Sequence, residues 1–250
     1  MFNSFYTELI KLKRSNIFII SFLAILIPII LTLIPPVINN MLSEGPLEAG
    51  YFFDGNLAFL NLTIGIPLFS IIAVNIFVKE YQQGTINFLF TSLQDRKTIY
   101  FGKLMTSFVS IVVVFLLSFL LNGIIVLVGS KYGFVETVNL SVFLNYLLVY
   151  LLSILMQLAL LPIVIIVGIW FKNIVIPMGC AILGVLIAGI GLQSEWAFYF
   201  PWSIPLKTVQ SITDGGSNVT FISTPILALG FILVISTIIS LVLYNTEEVT

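Results

Sequence analysis

Six long apolar stretches, none containing a charged side chain, constrain this chain more than any other feature of its sequence. A helix needs about 20 apolar residues to cross the roughly 30 Å of hydrocarbon in a bilayer, and it satisfies its own backbone hydrogen bonds there. The pattern predicts an all-α integral membrane protein that forms a single transmembrane domain. The six predicted spans cover residues 17–38, 57–78, 104–128, 142–171, 174–192 and 221–244.

The composition excludes a water-soluble fold and most catalytic chemistry. Hydrophobic residues make up 59% of the chain and charged residues 8%, whereas about a quarter of the residues in soluble domains are charged. Having no histidine and one cysteine, the chain lacks the usual zinc ligands and histidine-dependent nucleophiles. Gly102 and Lys103 are followed by Leu104, so they do not form a GxxxxGK[ST] loop. We expect no enzyme activity, metal site or cofactor, and the net charge of −1 does not indicate a nucleic-acid partner.

The predicted spans also lack the ionisable side chains that proton-driven and cation-driven transporters usually place inside the bilayer. Their strongest polar groups are amides, which more often form hydrogen bonds between helices than bind a substrate. These amides belong to Asn61, Asn75, Asn122, Asn145 and Gln157. If the protein moves a substrate uphill, the energy must therefore come from another subunit.

The distribution of Lys and Arg predicts the orientation in the membrane, because these residues resist translocation. With the N-terminus inside, eight of the ten lie on the cytoplasmic side, and Lys131 and Lys207 lie outside. Both termini are therefore predicted to be cytoplasmic in a multi-pass protein of the cell membrane. The first apolar run is longer than the core of a signal peptide, so we expect it to be retained.

Residues 1–16 form a predicted amphipathic helix along the membrane surface. Its apolar residues follow i, i+3, i+4 spacing, and its polar residues fill the other side. The apolar set is Phe2, Phe5, Tyr6, Leu9 and Ile10, and the polar set is Ser4, Thr7, Glu8, Lys11 and Arg14. A plain positively charged anchor on the cytoplasmic side is the alternative interpretation, but such an anchor needs no aromatic stripe.

The predicted cytoplasmic loop at residues 79–103 contains a second short helix. Four apolar residues recur at i, i+3, i+4 and i+7 and form one stripe; they are Ile86, Leu89, Phe90 and Leu93. Gly84 permits a sharp turn before this helix, and Thr85 can cap it. A helix of about two turns is unstable alone in water. The stripe therefore needs either the bilayer surface or a groove in a protein.

The residues around this stripe resemble the ExxxGT…R…GK pattern of type 2 ABC export permeases, the ABC-2 family. The matching residues are Glu80, Gly84, Thr85, Arg96, Gly102 and Lys103. The resemblance implies that the loop helix is a coupling helix, which fits a cleft in a separate ATPase subunit. Its apolar stripe would face that ATPase, and Glu80 would brace the loop. It further implies two ATPase copies that bind ATP and Mg, and a second permease, identical or homologous.

Within this family, the segment TELIKLKRSNIF at residues 7–18 and the compact length resemble small Gram-positive permeases. These handle membrane-active peptides, as in lantibiotic immunity or the export of phenol-soluble modulins. An amphipathic antimicrobial or toxin peptide is the cargo that this similarity implies. Two alternatives stay open, namely export of a lipid or polysaccharide, and a non-transporting sensor or peptide-immunity protein.

Residues 193–220 form a predicted extracellular segment that is rich in aromatic side chains. Interface anchoring is the ordinary role of such residues, whereas the family resemblance implies short re-entrant helices that form an outer gate. The aromatic residues are Trp196, Phe198, Tyr199, Phe200 and Trp202.

The fifth predicted span carries a face of small residues, which allows helix backbones to approach closely. The face comprises Cys180, Gly184, Ala188 and Gly191. It is expected to pack either against a neighbouring helix of the same chain or, as in the resembled family, near the contact between subunits. Cys180 has no partner for a disulfide and is expected to be a buried structural thiol.

Overall fold

The computed structural model describes residues 2–13, 17–38, 45–86, 95–213 and 219–246. This part of the chain is almost entirely helical, with no β-strand and one isolated backbone bridge. Two short segments depart from α geometry, a π-helix at Phe59–Thr63 and a 3-10 helix at Glu195–Phe198. The α-helices are α1 Phe2–Lys13, α2 Ile17–Ile38, α3 Ala49–Ala58, α4 Gly65–Gln82, α5 Arg96–Lys131, α6 Leu140–Phe171, α7 Val175–Gly191, α8 Ile204–Thr213 and α9 Val219–Thr246.

Among the described residues, four helices are long and apolar enough to cross a membrane, namely α2, α5, α6 and α9. A fifth candidate consists of α3 with the π-helix, followed by α4 at an angle of 48°. The shorter apolar helix α7 has 17 residues. The all-helical membrane fold predicted from the sequence is confirmed, whereas the number of six crossings stays a prediction.

The helices run between two ends of the bundle that differ in chemistry. The charged end holds Glu80, Arg96 and Lys103, together with α1 and the tight turn at Lys172. The opposite end holds the start of α3, the turn after α5 and the short helix α8. Helix α4 packs against α5, α6 and α7 and is largely buried, so it lies in the middle of the described bundle.

The second predicted span starts earlier than expected and contains a break in its helix. Sequence reasoning placed it at residues 57–78, but helical structure begins at Ala49 and breaks at Ile64. The polar side chains of Asp54 and Asn56 lower the hydropathy of the first turns and hide them from an apolar-run search. Asn56 is nevertheless fully buried, because Tyr150 and Ser118 donate hydrogen bonds to its side-chain oxygen.

The predicted loop at residues 79–103 is also shorter than expected. Helix α5 begins at Arg96 and not near residue 104, so the last third of that loop is helical. Asp95 precedes the helix in an extended conformation. The charged residues at its start reduced the apolar signal of this segment, but they do not prevent helix formation.

At the opposite end, two connecting segments are joined by backbone hydrogen bonds. The amide of Leu47 donates to the carbonyl of Phe134, and the amide of Glu136 donates to the carbonyl of Leu47. These bonds connect the chain before α3 to the turn after α5. The two segments are therefore held together outside the helical bundle.

Candidate functional site

An ion-pair network lies at the charged end, where α1, α4 and α5 meet. The Oε2 atom of Glu80 lies 2.6 Å from Nζ of Lys103, and its Oε1 atom lies 2.7 Å from Nζ of Lys11. Lys11 also pairs with Glu8 at 2.8 Å. Lys103 completes its contacts by donating to the carbonyl of Ile76 at 2.7 Å. One carboxylate on α4 therefore joins two other helices.

Burial makes this pairing necessary. The side chain of Lys103 is fully buried, and that of Glu80 is 14% exposed. An unpaired charge in such a place would cost several kcal/mol. Removing either partner would leave the other as such an unpaired charge. Lys11 is half exposed. Its burial tends to lower the pKa of its ammonium group, but the carboxylates of Glu8 and Glu80 hold that pKa above its usual value.

The turn after α4 explains the spacing of the E-x-x-x-G-T motif. Gly84 has a φ of +67°, the left-handed conformation that favours glycine. Its amide donates to the carbonyl of Tyr81, and the amide of Thr85 donates to the carbonyl of Glu80 at 3.0 Å. This is the Schellman arrangement that ends a helix. Glu80 therefore closes the turn with its carbonyl and joins the helices with its carboxylate.

The other predicted coupling residues lie around this turn or just after it. Arg96 donates to the carbonyl of Asn245 at 2.8 Å, which ties the start of α5 to the end of α9. A cation near the last carbonyls of a helix also favours the helix dipole. Gly102 is buried on α5 beside Lys103.

The predicted coupling helix itself is described only at its first residue. Ile86 is partly buried and helical. Leu89, Phe90 and Leu93 lie outside the described residues, as do the positions that Thr85 would cap. The contacts described for Thr85 run back to Glu80. The ATPase-facing stripe and the cap therefore stay predictions.

Helix α1 differs from expectation in which side faces the protein. Glu8 was predicted on the solvent side with Lys11, but it is 4% exposed and lies against the bundle. Tyr6 and Ile10 are 64% and 43% exposed, respectively. Glu8 turns inward because its ion pair with Lys11 belongs to the network around Glu80. Tyr6 and Ile10 present a second apolar surface, suited to the membrane interface.

Comparison with known families decides the identity of the fold. The family model described as "ABC-2 family transporter protein" matches residues 4–188, which is more than half of the chain. The chain belongs to the ABC-2 transporter family. No curated protein matches the sequence. The matched region contains the complete ion-pair network and the turn after α4, so this site lies within the family's shared part.

The small-residue face of α7 packs against the aromatic segment of the same ABC-2 permease chain. A Cβ atom added to Gly184 would lie 2.8 Å from the indole ring of Trp202, and one added to Gly191 would lie 1.8 Å from that of Trp196. Ala188 is fully buried on the same face. These glycines therefore make room for indole rings, which favours packing within the chain over the subunit contact.

The exposure of Cys180 contradicts the prediction made from the sequence. This residue was expected to be a buried thiol on the small-residue face, but it is exposed. The buried stripe of α7 contains Ala181, Gly184, Ala188 and Gly191, which repeat at the three-to-four spacing of a helix. Cys180 lies at the edge of this stripe, next to Ala181, and points away from the protein interior.

The aromatic residues at the opposite end of the permease differ in their packing, since some contact other side chains and one is mainly exposed. Phe200 contacts the rings of Trp196 and Trp202 with centroids 5.5 Å apart in both cases. Phe198 lies under the ammonium group of Lys207 at 5.8 Å, whereas Tyr199 is 67% exposed. The described part of this segment contains a 3-10 helix and α8, and both the re-entrant arrangement and the gate function stay predictions.

Two of the five interior amides of the permease form the predicted hydrogen bonds between helices. Asn61 and Gln157 bond across helices, while Asn75 and Asn122 donate to carbonyls of their own helices. Asn145 instead lines a cavity of about 450 Å³ between α6 and α8. Sequence reasoning missed Asn56 and Tyr150. The i, i+4, i+7, i+11 spacing of Tyr146, Tyr150, Ser153 and Gln157 was a signal that could have revealed a polar stripe on α6.

Proposed function

We propose that this ABC transporter permease is the membrane subunit of an ATP-driven exporter of amphipathic peptides. It works with two copies of a separate ATPase and with a second permease, identical or homologous, in the cell membrane with both termini in the cytoplasm. One observation carries this proposal. Glu80 belongs both to the ion-pair network and to the Schellman turn at the start of the predicted coupling loop.

A loop can transmit force only if its base is rigid. Glu80 contributes its carbonyl to the turn and its carboxylate to Lys103 and Lys11. A displacement of the loop is therefore passed to α1, α4 and α5 together. This arrangement fits a loop that is moved by an external subunit. Residues 57–78, the apolar part of the second span, contain no charged side chain that could serve as a relay for an ion gradient. ATP and Mg would be bound by the ATPase.

The cavity at the opposite end supports a peptide as the cargo. It is lined mainly by apolar side chains of α6 and α8, with Asn145, Tyr146 and Thr213 among them. Pockets of this kind favour apolar groups and orient them by a few hydrogen bonds. A peptide with apolar side chains and a polar backbone suits such a lining, whereas a polysaccharide would leave most of it unused.

The decisive experiment replaces two residues of the predicted coupling stripe, Leu89→Asp together with Phe90→Asp. Burying each side chain contributes about 1.5 to 3 kcal/mol, and every 1.4 kcal/mol is a factor of ten in binding. We expect ATPase binding to fall by more than about a hundredfold, with normal membrane insertion. Co-purification of the ATPase, insertion and ATP-dependent peptide release are measured. Ser194→Ala, at the opposite end, is the control.

Two results would contradict the proposal. Wild-type recovery of the ATPase with the double variant would show that the stripe does not bind it. ATP hydrolysis by the purified complex that is stimulated by lipid vesicles alone, and not further by an amphipathic cationic peptide, would favour the lipid-export alternative.

A further inference from the structure

The break in the second span has a defined local cause. The amide of Ile64 donates to the carbonyl of Phe59, five residues earlier, at 2.9 Å. A Cβ atom at Gly65 would lie 1.8 Å from the carbonyl oxygen of Leu60, so only glycine fits there without a shift. Pro67 further removes a backbone donor from the next turn. The helix changes direction by 48° at this place.

A side chain from another helix satisfies the backbone at this break. Nε2 of Gln157 on α6 donates to the carbonyl oxygen of Asn61 at 3.1 Å. Nδ2 of Asn61 donates to the hydroxyl oxygen of Ser153 at 3.0 Å. Ser153 and Asn61 are fully buried, and Gln157 is 2% exposed. An unsatisfied carbonyl in hydrocarbon would cost several kcal/mol, and the amide of Gln157 gives the carbonyl of Asn61 a partner, so this contact stabilises the bent form.

The break also determines the position of the coupling loop. Helix α4 starts directly after the break at Gly65 and ends at Gln82, just past Glu80. At 1.5 Å per residue it is about 27 Å long, so a 10° change at the break would move its far end by roughly 5 Å. The angle set beside Asn61 therefore decides where Glu80 and the turn lie.

We infer that Gln157 is a positioning residue, whose amide holds the break at Asn61 in its bent form and thereby places Glu80 and the coupling loop. Its role in transport rests on the proposed function, but its effect on the bend does not. Asn75 provides a matched comparison, because its amide lies on the same α4 helix and donates to the carbonyl of Ile71 on that helix.

The first test measures the bend in the purified permease. Spin labels are attached at Glu48→Cys and Gln82→Cys, two exposed positions that flank the broken span, in a Cys180→Ser background. Gln157→Met keeps the shape of the side chain and removes the amide. We expect the label distance to broaden and lengthen, by about 4 Å if the bend straightens fully. Asn75→Leu should give the wild-type distribution.

A wild-type distribution for Gln157→Met overturns the inference. If that variant does not accumulate in membranes, Gln157→Asn retains the amide but is one methylene shorter, and it should shift the same distance. Equal shifts for the Gln157 and Asn75 variants also overturn it, because the effect would then be a general loss of packing.

The second test measures the positioning role in the complex with the ATPase. We expect ATP with vanadate to shift the label distance in the wild type. In Gln157→Met the shift should be lost, while ATP hydrolysis continues at half the wild-type rate or more. A wild-type distance that does not respond to nucleotide overturns the positioning role. Absence of ATPase from the purified wild-type complex would instead contradict the proposed function.

Discussion

The ion-pair network around Glu80 at the charged end and the packing of α7 at the opposite end are stabilised by different kinds of interaction. At the charged end, Glu80 joins helices through ion pairs with Lys103 and Lys11. At the opposite end, the described contacts of α7 are neutral, with indole rings of Trp196 and Trp202 packed on glycines. Breaking an ion pair leaves a buried charge, whereas a packing fault can relax at the surface. The charged end should therefore tolerate substitution far less well.

The largest effect is expected for Glu80→Ala. It leaves the fully buried ammonium group of Lys103 without its carboxylate, which costs about 3 to 5 kcal/mol. Glu8→Ala is the matched control, because its partner Lys11 is half exposed and keeps Glu80. The free energy of unfolding in mixed micelles is measured for both variants. Equal losses would remove the distinction between buried and exposed charges in the network.

A middle effect is expected for Gly191→Ala at the opposite end. The added methyl group would overlap the ring of Trp196, which must move, at a cost of about 1 to 3 kcal/mol. Gly189→Ala lies on the same helix with no atom within 4 Å of the new Cβ. That control should be neutral or stabilising by up to about 1 kcal/mol. A destabilisation of the control as large as that of Gly191→Ala would contradict the packing described here.

The smallest effect is expected for Tyr150→Phe in the interior. The change removes the hydrogen bond from the hydroxyl of Tyr150 to the side-chain oxygen of Asn56, which keeps a second donor in Ser118. Hydrogen bonds between membrane helices contribute about 0.6 kcal/mol on average. Tyr132→Phe, at a residue that is 69% exposed, is the control. If Tyr150→Phe lowers the free energy of unfolding by more than about 3 kcal/mol, this neutral hydrogen bond contributes as much as the ion pairs, and the comparison fails.

Much of the helical fold could be predicted because long apolar runs are local signals. The bounds of α6 and α7 agree with prediction to within two residues. The start of α3 at Ala49 and that of α5 at Arg96 were missed, because polar residues in these turns weaken the apolar signal. Pro67 indicates a bend in the second span, and the structure has one of 48° nearby. The π-helical turn at Phe59–Thr63 that precedes Gly65 was missed, because no sequence pattern marks it.

Part of the site was predicted from the family resemblance and not from local apolar runs. Glu80 and Lys103 were selected through the family resemblance, and the structure brings them together across 23 positions of sequence. Lys11 was assigned only to the amphipathic helix, and its ion pair with Glu80 spans 69 positions. Such pairs arise from packing of whole helices, so local spacing does not reveal them. Gln157 was treated as one interior amide among several. Its partner is a backbone carbonyl, which every residue has, so no residue type in the sequence marks this contact.

The exposure of Cys180 gives the natural chain a built-in chemical reporter. As the sole cysteine of the sequence, it directs any thiol-specific dye, spin label or cross-linker to one defined place on α7. In a symmetric pair of permeases, the two copies of this thiol would be related by the same rotation axis as the subunits. Their separation would thus measure how far α7 lies from that axis, in a protein that carries no substitution at all.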